Sequence, residues 1–174
     1  ATKLTKAELT YFQRSLTNHH RIPIFYGLPK VHKTPFSLRP VVSTSGSLLA
    51  IFSTWLDFKM KDLLPYVLSY TKNSESIIKD LQHLHLPEEA LLFTADAKSM
   101  YTNIDSNTGI TSIRDFITTN ISQLPQDFPT DLFLQTLKVV MENNVFEFAG
   151  SYWLQLIGTA MGTPAACAYA TISY

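Results

Sequence analysis

A single cysteine, Cys167, stands among 174 residues, which excludes an intramolecular disulfide framework and a cysteine-rich zinc site. Charge is sparse as well, at 16% of residues, whereas hydrophobic residues reach 45% and aromatics 12%. A disordered tail has the opposite composition. No apolar run approaches the roughly 20 residues of a membrane helix, and no basic start leads into the short apolar segment of a signal peptide. No two aspartates are adjacent anywhere, and nothing after Pro164 is acidic. What remains is a soluble, globular composition, long enough for one real core and suited to a reducing, intracellular compartment. The chain has no initiator methionine and stops within an apolar stretch, so it reads as a piece of something longer.

The formal net charge is zero, with 14 basic and 14 acidic residues, yet the signs are segregated. Residues 1–39 hold seven bases (Lys3, Lys6, Arg14, Arg21, Lys30, Lys33 and Arg39) against Glu8 alone, a balance of +6. The remainder sets seven bases against thirteen acids, a balance of −6. A basic first quarter points to an anion such as phosphate, with a merely solvated surface as the plain alternative.

Helical spacing of Leu4, Leu9, Phe12 and Leu16 predicts a helix over 3–17. Between Pro23 and Ser47, Pro23, Gly27, Pro29, Pro35, Pro40 and Gly46 preclude a helix and favour short strands at Ile24–Tyr26 and Val41–Thr44. Leu48, Phe52, Trp55, Leu56 and Met60 recur every three or four residues, an amphipathic helix that ends before Pro65. Asn73 or Ser74 can cap another helix through Ile77, Ile78, Leu81 and Leu84. Ala90–Asp96 is an apolar run suited to a buried strand. Helices are expected over 110–121 and 130–142, a β-hairpin around Ala149-Gly150-Ser151, and a final helix over 165–172 with Thr163 as N-cap and Pro164 at its first position. Helices outnumber strands without strict alternation, so the class is α+β.

Three places can carry chemistry. Asp96 closes the apolar run, where a carboxylate either binds a hard cation such as Mg²⁺ or caps the next turn. Gly158-Thr-Ala-Met-Gly-Thr-Pro164 permits close backbone approach ahead of a helix. Lys30, Lys33 and Arg39 stand on short strands or a hairpin, a geometry able to clamp phosphates or simply to be solvated.

Taken in order, FYGLPKVHK, RPVVS, FTADAKSMYTNI and GTAMGTPAACAYATI resemble the successive finger and palm blocks of a reverse transcriptase, an RNA-directed DNA polymerase. The wording is most similar to the Penelope-like retroelements, and it covers residues 22–174. The resemblance implies fingers over 1–90, with the basic hairpin region at 22–47, and a partial palm over 91–174. It implies that Asp96 is the catalytic aspartate and, with the Ala97 carbonyl, a ligand of Mg²⁺. Tyr101 matches the bulky residue that excludes a ribose 2′-hydroxyl. Arg39 matches the triphosphate-binding finger arginine, with Lys30 and Lys33 as phosphate or template contacts. Met161 and Gly162 match the loop beneath the nascent base pair, although many relatives carry Gln where Met161 stands. A thioether cannot make the amide's hydrogen bonds, so Met161 either packs against nucleotide or template or fills the core.

The implied partners are an RNA template, a DNA primer and deoxynucleoside triphosphates, with no membrane, and the implied setting is a eukaryotic nucleus. The family completes its metal site with an Asp-Asp hairpin downstream of the glycine loop, and no such pair occurs here. The 174 residues alone are therefore expected to be inactive as a nucleotidyltransferase. The Ala90–Ala95 edge is expected to pair with a second copy or to rearrange. The competing reading is a non-catalytic nucleic-acid-binding or scaffold module of the same ancestry. His83 and His85 lack companion ligands for zinc, and His19-His20 read as exposed loop residues. His32 is expected to shape the hairpin and Cys167 to be buried. Ser43 and Ser47 lack triad partners, while Trp55, Tyr66 and Tyr70 read as packing residues.

Overall fold

Local capping signals set where most helices begin in the computed structural model, which describes residues 4–174. Helix α1 (Lys6–Leu16) opens with a capping box. The Glu8 N–H donates to Thr5 Oγ1 at 3.2 Å, and the Thr5 N–H donates to Glu8 Oε2 at 2.7 Å, which satisfies two otherwise orphaned donors. Ser47 caps α2 (Leu48–Lys61), Asn73 caps α3 (Ser74–Gln82) and Asp105 caps α5 (Ser106–Thr119), each through a side-chain oxygen. The Thr108 N–H bonding to Asp105 holds its carboxyl below the usual carboxylate range. A short helix α4 (Met100–Asn103) precedes α5, and α6 (Thr130–Glu142) and α7 (Ala166–Ser173) follow it.

Four strands form one mixed sheet in the order β2-β1-β3-β4. Strands β1 (Ile24–Pro29) and β2 (Leu38–Ser43) pair antiparallel, with Leu28 opposite Arg39 and Phe25 opposite Val42. Strand β3 (Val145–Phe148) lies parallel to β1 and antiparallel to β4 (Ser151–Leu154). Ala149 at φ 52° and Gly150 at φ 75° make the tight β3–β4 turn, whose left-handed backbone matches the twist of a two-residue hairpin. Phe25 packs on Phe146 and Phe148 with ring centroids 5.5 and 5.1 Å apart, which ties the two hairpins together.

The core is helical. Trp55, Leu56 and Met60 of α2 meet Phe133, Leu137, Val140 and Met141 of α6, together with Ile110, Ile113 and Ile117 of α5 and Tyr169 of α7. This core draws on both sides of residue 90, as does the sheet, where β1 pairs with β3. Gly109 lets α5 and α7 approach, because a Cβ there would collide with the Tyr169 hydroxyl. Burial pushes that phenol up to about 12. The α+β class expected from the sequence is the class observed.

Several boundaries differ from expectation. Ala90–Asp96 is not a strand: the segment pairs with no strand, and Leu91 and Phe93 are 92% and 88% exposed. An apolar run becomes a strand only where a neighbour takes its N–H and C=O groups. Both flanks of β1 are already occupied by β2 and β3. Helix α3 forms as expected and is capped by Asn73, but its apolar residues Ile77, Ile78 and Leu81 remain exposed. Helix α5 begins four residues earlier than the apolar pattern indicates, because the Asp105 cap, not the first isoleucine, sets its start. Thr163 does not cap α7; Ala165 occupies that place and its N–H donates to Ser53 Oγ of α2 at 3.0 Å.

Candidate functional site

Three of the four blocks singled out in the sequence converge at the outer edge of β2. The Val42 N–H donates to the Met161 carbonyl at 2.8 Å, and Thr44 Oγ1 donates to the Gly162 carbonyl at 2.8 Å. Strand β2 is an edge strand, so the glycine segment covers backbone groups that would otherwise stand unpaired. The same segment is bonded on its other side to the stretch around α4. The Thr159 N–H donates to the Tyr101 carbonyl at 2.7 Å and the Gly158 N–H to the Ile104 carbonyl at 2.9 Å. Thr159 is itself buried, its hydroxyl directed at Met141 Sδ of α6 at 3.6 Å.

The glycines are required by this stitching. Gly158 has φ +81°, and a Cβ there would lie 2.6 Å from the Tyr101 carbonyl oxygen and 2.7 Å from Thr102 Cα. Gly162 has φ +113°, and a Cβ there would strike the Val42 carbonyl oxygen. Left-handed backbone and backbone neighbours at van der Waals limits both select against any side chain.

Tyr101 is half-buried, and its hydroxyl lies 3.0 Å from Cys167 Sγ on the first turn of α7. The hydrogen bond to Cys167 and partial burial push the Tyr101 phenol up to about 12. Cys167 is exposed rather than buried, because its side chain leaves the alanine-lined face of α7 on the Tyr101 side. Met161 is half-buried and contributes its main-chain carbonyl to β2, so its backbone has a clear structural role.

The basic residues lie along the β1–β2 hairpin. The Lys30 N–H donates to the Ser37 carbonyl at 2.9 Å, closing the ladder, and the Lys33 N–H bonds the Lys30 carbonyl at 3.0 Å in the turn beyond. Arg39 sits opposite Leu28 on β2, three residues before the strand's contact with the glycine segment. Arg39 and Lys33 are exposed, Lys30 is half-exposed, and among the described residues none of the three is in an ion pair. Their charges are thus available to an anionic ligand.

Asp96 and Ala97 lie in the exposed segment that precedes Ser99, which takes a left-handed φ of 54° ahead of α4. Five residues separate Asp96 from Tyr101, a reach of at most roughly 17 Å. Mg²⁺ takes close to six oxygen donors in octahedral geometry. One exposed carboxylate and one carbonyl do not fit paired Mg²⁺ ions, and among the described residues no three metal-ligating side chains gather into a group.

Sequence reasoning missed the hydroxyls that bind the site together, Thr44 and Ser53. Neither has a local signal, since each acts on a segment more than a hundred residues away. It also missed the cluster that joins α1 to α2: Glu8 accepts from Trp55 Nε1 at 2.8 Å and pairs with Lys59 at 2.9 Å. The Thr5-x-x-Glu8 pattern that anchors this carboxylate was readable as a capping box. No family model, no curated protein and no solved structure matches this chain.

Proposed function

We propose that the chain is the fingers and first part of the palm of an RNA-directed DNA polymerase of a retroelement, similar to the Penelope-like elements. One observation carries the reading. The RPVVS strand, the segment around Tyr101 and the glycine segment are far apart in sequence, yet main-chain hydrogen bonds join them at one edge. A nucleotide site built from these blocks needs that convergence. It puts Arg39, Tyr101 and Met161-Gly162 around one framework, with Lys30 and Lys33 further along the same hairpin.

In this reading the hairpin bases bind the triphosphate and the template backbone through charge-assisted hydrogen bonds. Tyr101, braced by Cys167, presents a rigid aromatic wall against the sugar. The exposed backbone of Gly162 lies beside the base pair, while buried Gly158 holds the segment against Tyr101. Asp96 supplies one carboxylate for Mg²⁺, and the two that complete a two-metal site have no counterpart in these 174 residues. Extension is therefore expected only from a longer protein that carries them, and no chemical step is assigned to the 174 residues themselves.

The test is primer extension on an RNA template with deoxynucleotides, using the full-length protein beside its Asp96→Ala variant. Extension by the wild type and its loss in Asp96→Ala supports the polymerase. Equal extension by both removes Asp96 from the site. No extension by the full-length protein, with primer–template binding kept, favours the non-catalytic nucleic-acid-binding module instead.

A further inference from the structure

A second basic surface lies along α1. Two adjoining hollows run along α1 and share Tyr11 and Ser15. One, about 720 Å³, is flanked by Lys6 and Arg14. The other, about 220 Å³, continues past Asn18, His19 and His20 to the first turn of α2. No carboxylate lines either hollow. Glu8, the single acid of α1, is engaged by Lys59 and Trp55. Lys6, Arg14 and Arg21 have no ion-pair partner among the described residues.

We infer that this face of α1 binds the sugar–phosphate backbone of a single nucleic-acid strand. Lys6 and Arg14 stand eight residues apart on one helix, about 12 Å along its axis. Two cations that far apart meet different phosphates of one strand, not the oxygens of one phosphate. A single small anion would not need two hollows in line. The hollow beyond Arg14 offers hydroxyl, amide and imidazole groups from Ser15, Asn18 and His20, donors suited to phosphate oxygens and 2′-hydroxyls. The partial positive charge at the start of α2 acts in the same sense. The inference extends the polymerase reading without depending on it, because a module that never polymerises would show the same binding.

The test uses the 174-residue chain and a fluorescently labelled single-stranded RNA oligonucleotide, with anisotropy measured over a salt series. Three proteins are compared: wild type, Lys6→Gln with Arg14→Gln, and Lys30→Gln with Lys33→Gln. Loss of two phosphate contacts on α1 should flatten the slope of log K against log salt by about 1.4 and weaken binding roughly 10- to 30-fold near 0.1 M salt. The charge-preserving pair Lys6→Arg with Arg14→Lys should restore binding, and far-UV circular dichroism checks that α1 still forms. Unchanged affinity and slope in the α1 variant overturns the inference, and a loss confined to the hairpin variant does so while sparing the fingers reading. Tighter binding to phosphatidylserine vesicles than to the oligonucleotide also overturns it, in favour of a membrane surface.

Discussion

Replacing Gly158 by alanine adds one methyl group where two separate penalties apply. The backbone sits at φ +81°, and leaving glycine in that region costs about 1–2 kcal/mol. The new Cβ would also lie 2.6–2.8 Å from the Tyr101 carbonyl and from Thr102 Cα and C, main-chain atoms that cannot rotate away. Overpacking of this kind adds about 1–3 kcal/mol, for a total of about 2–5 kcal/mol. Gly150 separates the two effects. Its φ is +75°, nearly the same, but a Cβ there meets nothing within 4 Å. Gly150→Ala should therefore cost only the backbone part, about 1 kcal/mol. For a domain of this size each kcal/mol moves the melting temperature by roughly 2–4 °C. Thermal melts followed by far-UV circular dichroism should show a drop of a few degrees for Gly150→Ala and of roughly 10 °C for Gly158→Ala. Equal shifts would mean that the glycine segment is not pressed against α4, and the geometry that joins it to Tyr101 would be lost with it.

Three further outcomes are expected. Hydrogen bonds from Lys59, Thr5 and Trp55 outweigh the upward push of burial and lower the Glu8 carboxyl to about 2 from 4.5. Its folded value lies below its unfolded one, so the stability it lends is complete above about pH 5 and is lost as pH falls toward 2. Screening by nearby solvent reduces this to about 1–2 kcal/mol, and Glu8→Gln should abolish that part of the acid dependence in urea titrations at several pH values. Leu137→Ala opens a cavity between α6 and α2 and should cost about 2–5 kcal/mol by chemical denaturation; a cost below 1 kcal/mol would contradict its full burial. Tyr101→Phe and Cys167→Ala should each cost about 1 kcal/mol, and the double variant little more than either, since both remove one hydrogen bond. Additive losses in that cycle would show that the hydroxyl and the thiol do not interact.

The sequence was most readable where structure is decided locally. The periodicity of Leu48 to Met60 reports a helix face that packs on α6 and α7, and Asn73 reports a helix start through its own side chain. The turn at Ala149-Gly150 is likewise a property of two residues. Ala90–Asp96 shows the limit of that reasoning. Its pattern carries the apolarity of a strand, but a strand is a relation between two segments, and pattern alone names no partner. Cys167 was misplaced for a similar reason: alanine neighbours describe the average environment of α7, whereas exposure depends on which face a residue occupies.

The same distinction runs through the candidate site. Gly158, Gly162 and Arg39 could be singled out because residue type constrains what each can do, whereas Tyr101 was named only by the resemblance: glycine alone tolerates the left-handed turns, and arginine alone offers a rigid fork of donors. Their convergence could not be read, because Val42 meets Met161 across more than a hundred residues through main-chain atoms that every residue possesses. Main-chain bonding makes the contact indifferent to the side chain at half-buried Met161, and therefore open to variation there, whereas Val42 is also fixed by its burial. Gly158 and Gly162 have no such freedom, since each is fixed by the space between two backbones. Under the polymerase reading, substitutions at Met161 should alter nucleotide handling while leaving the fold intact, whereas substitutions at either glycine should destroy the fold first. A Met161→Gln protein that melts at the wild-type temperature, set beside a Gly162→Ala protein that does not, separates the residues that shape the site from those that hold it.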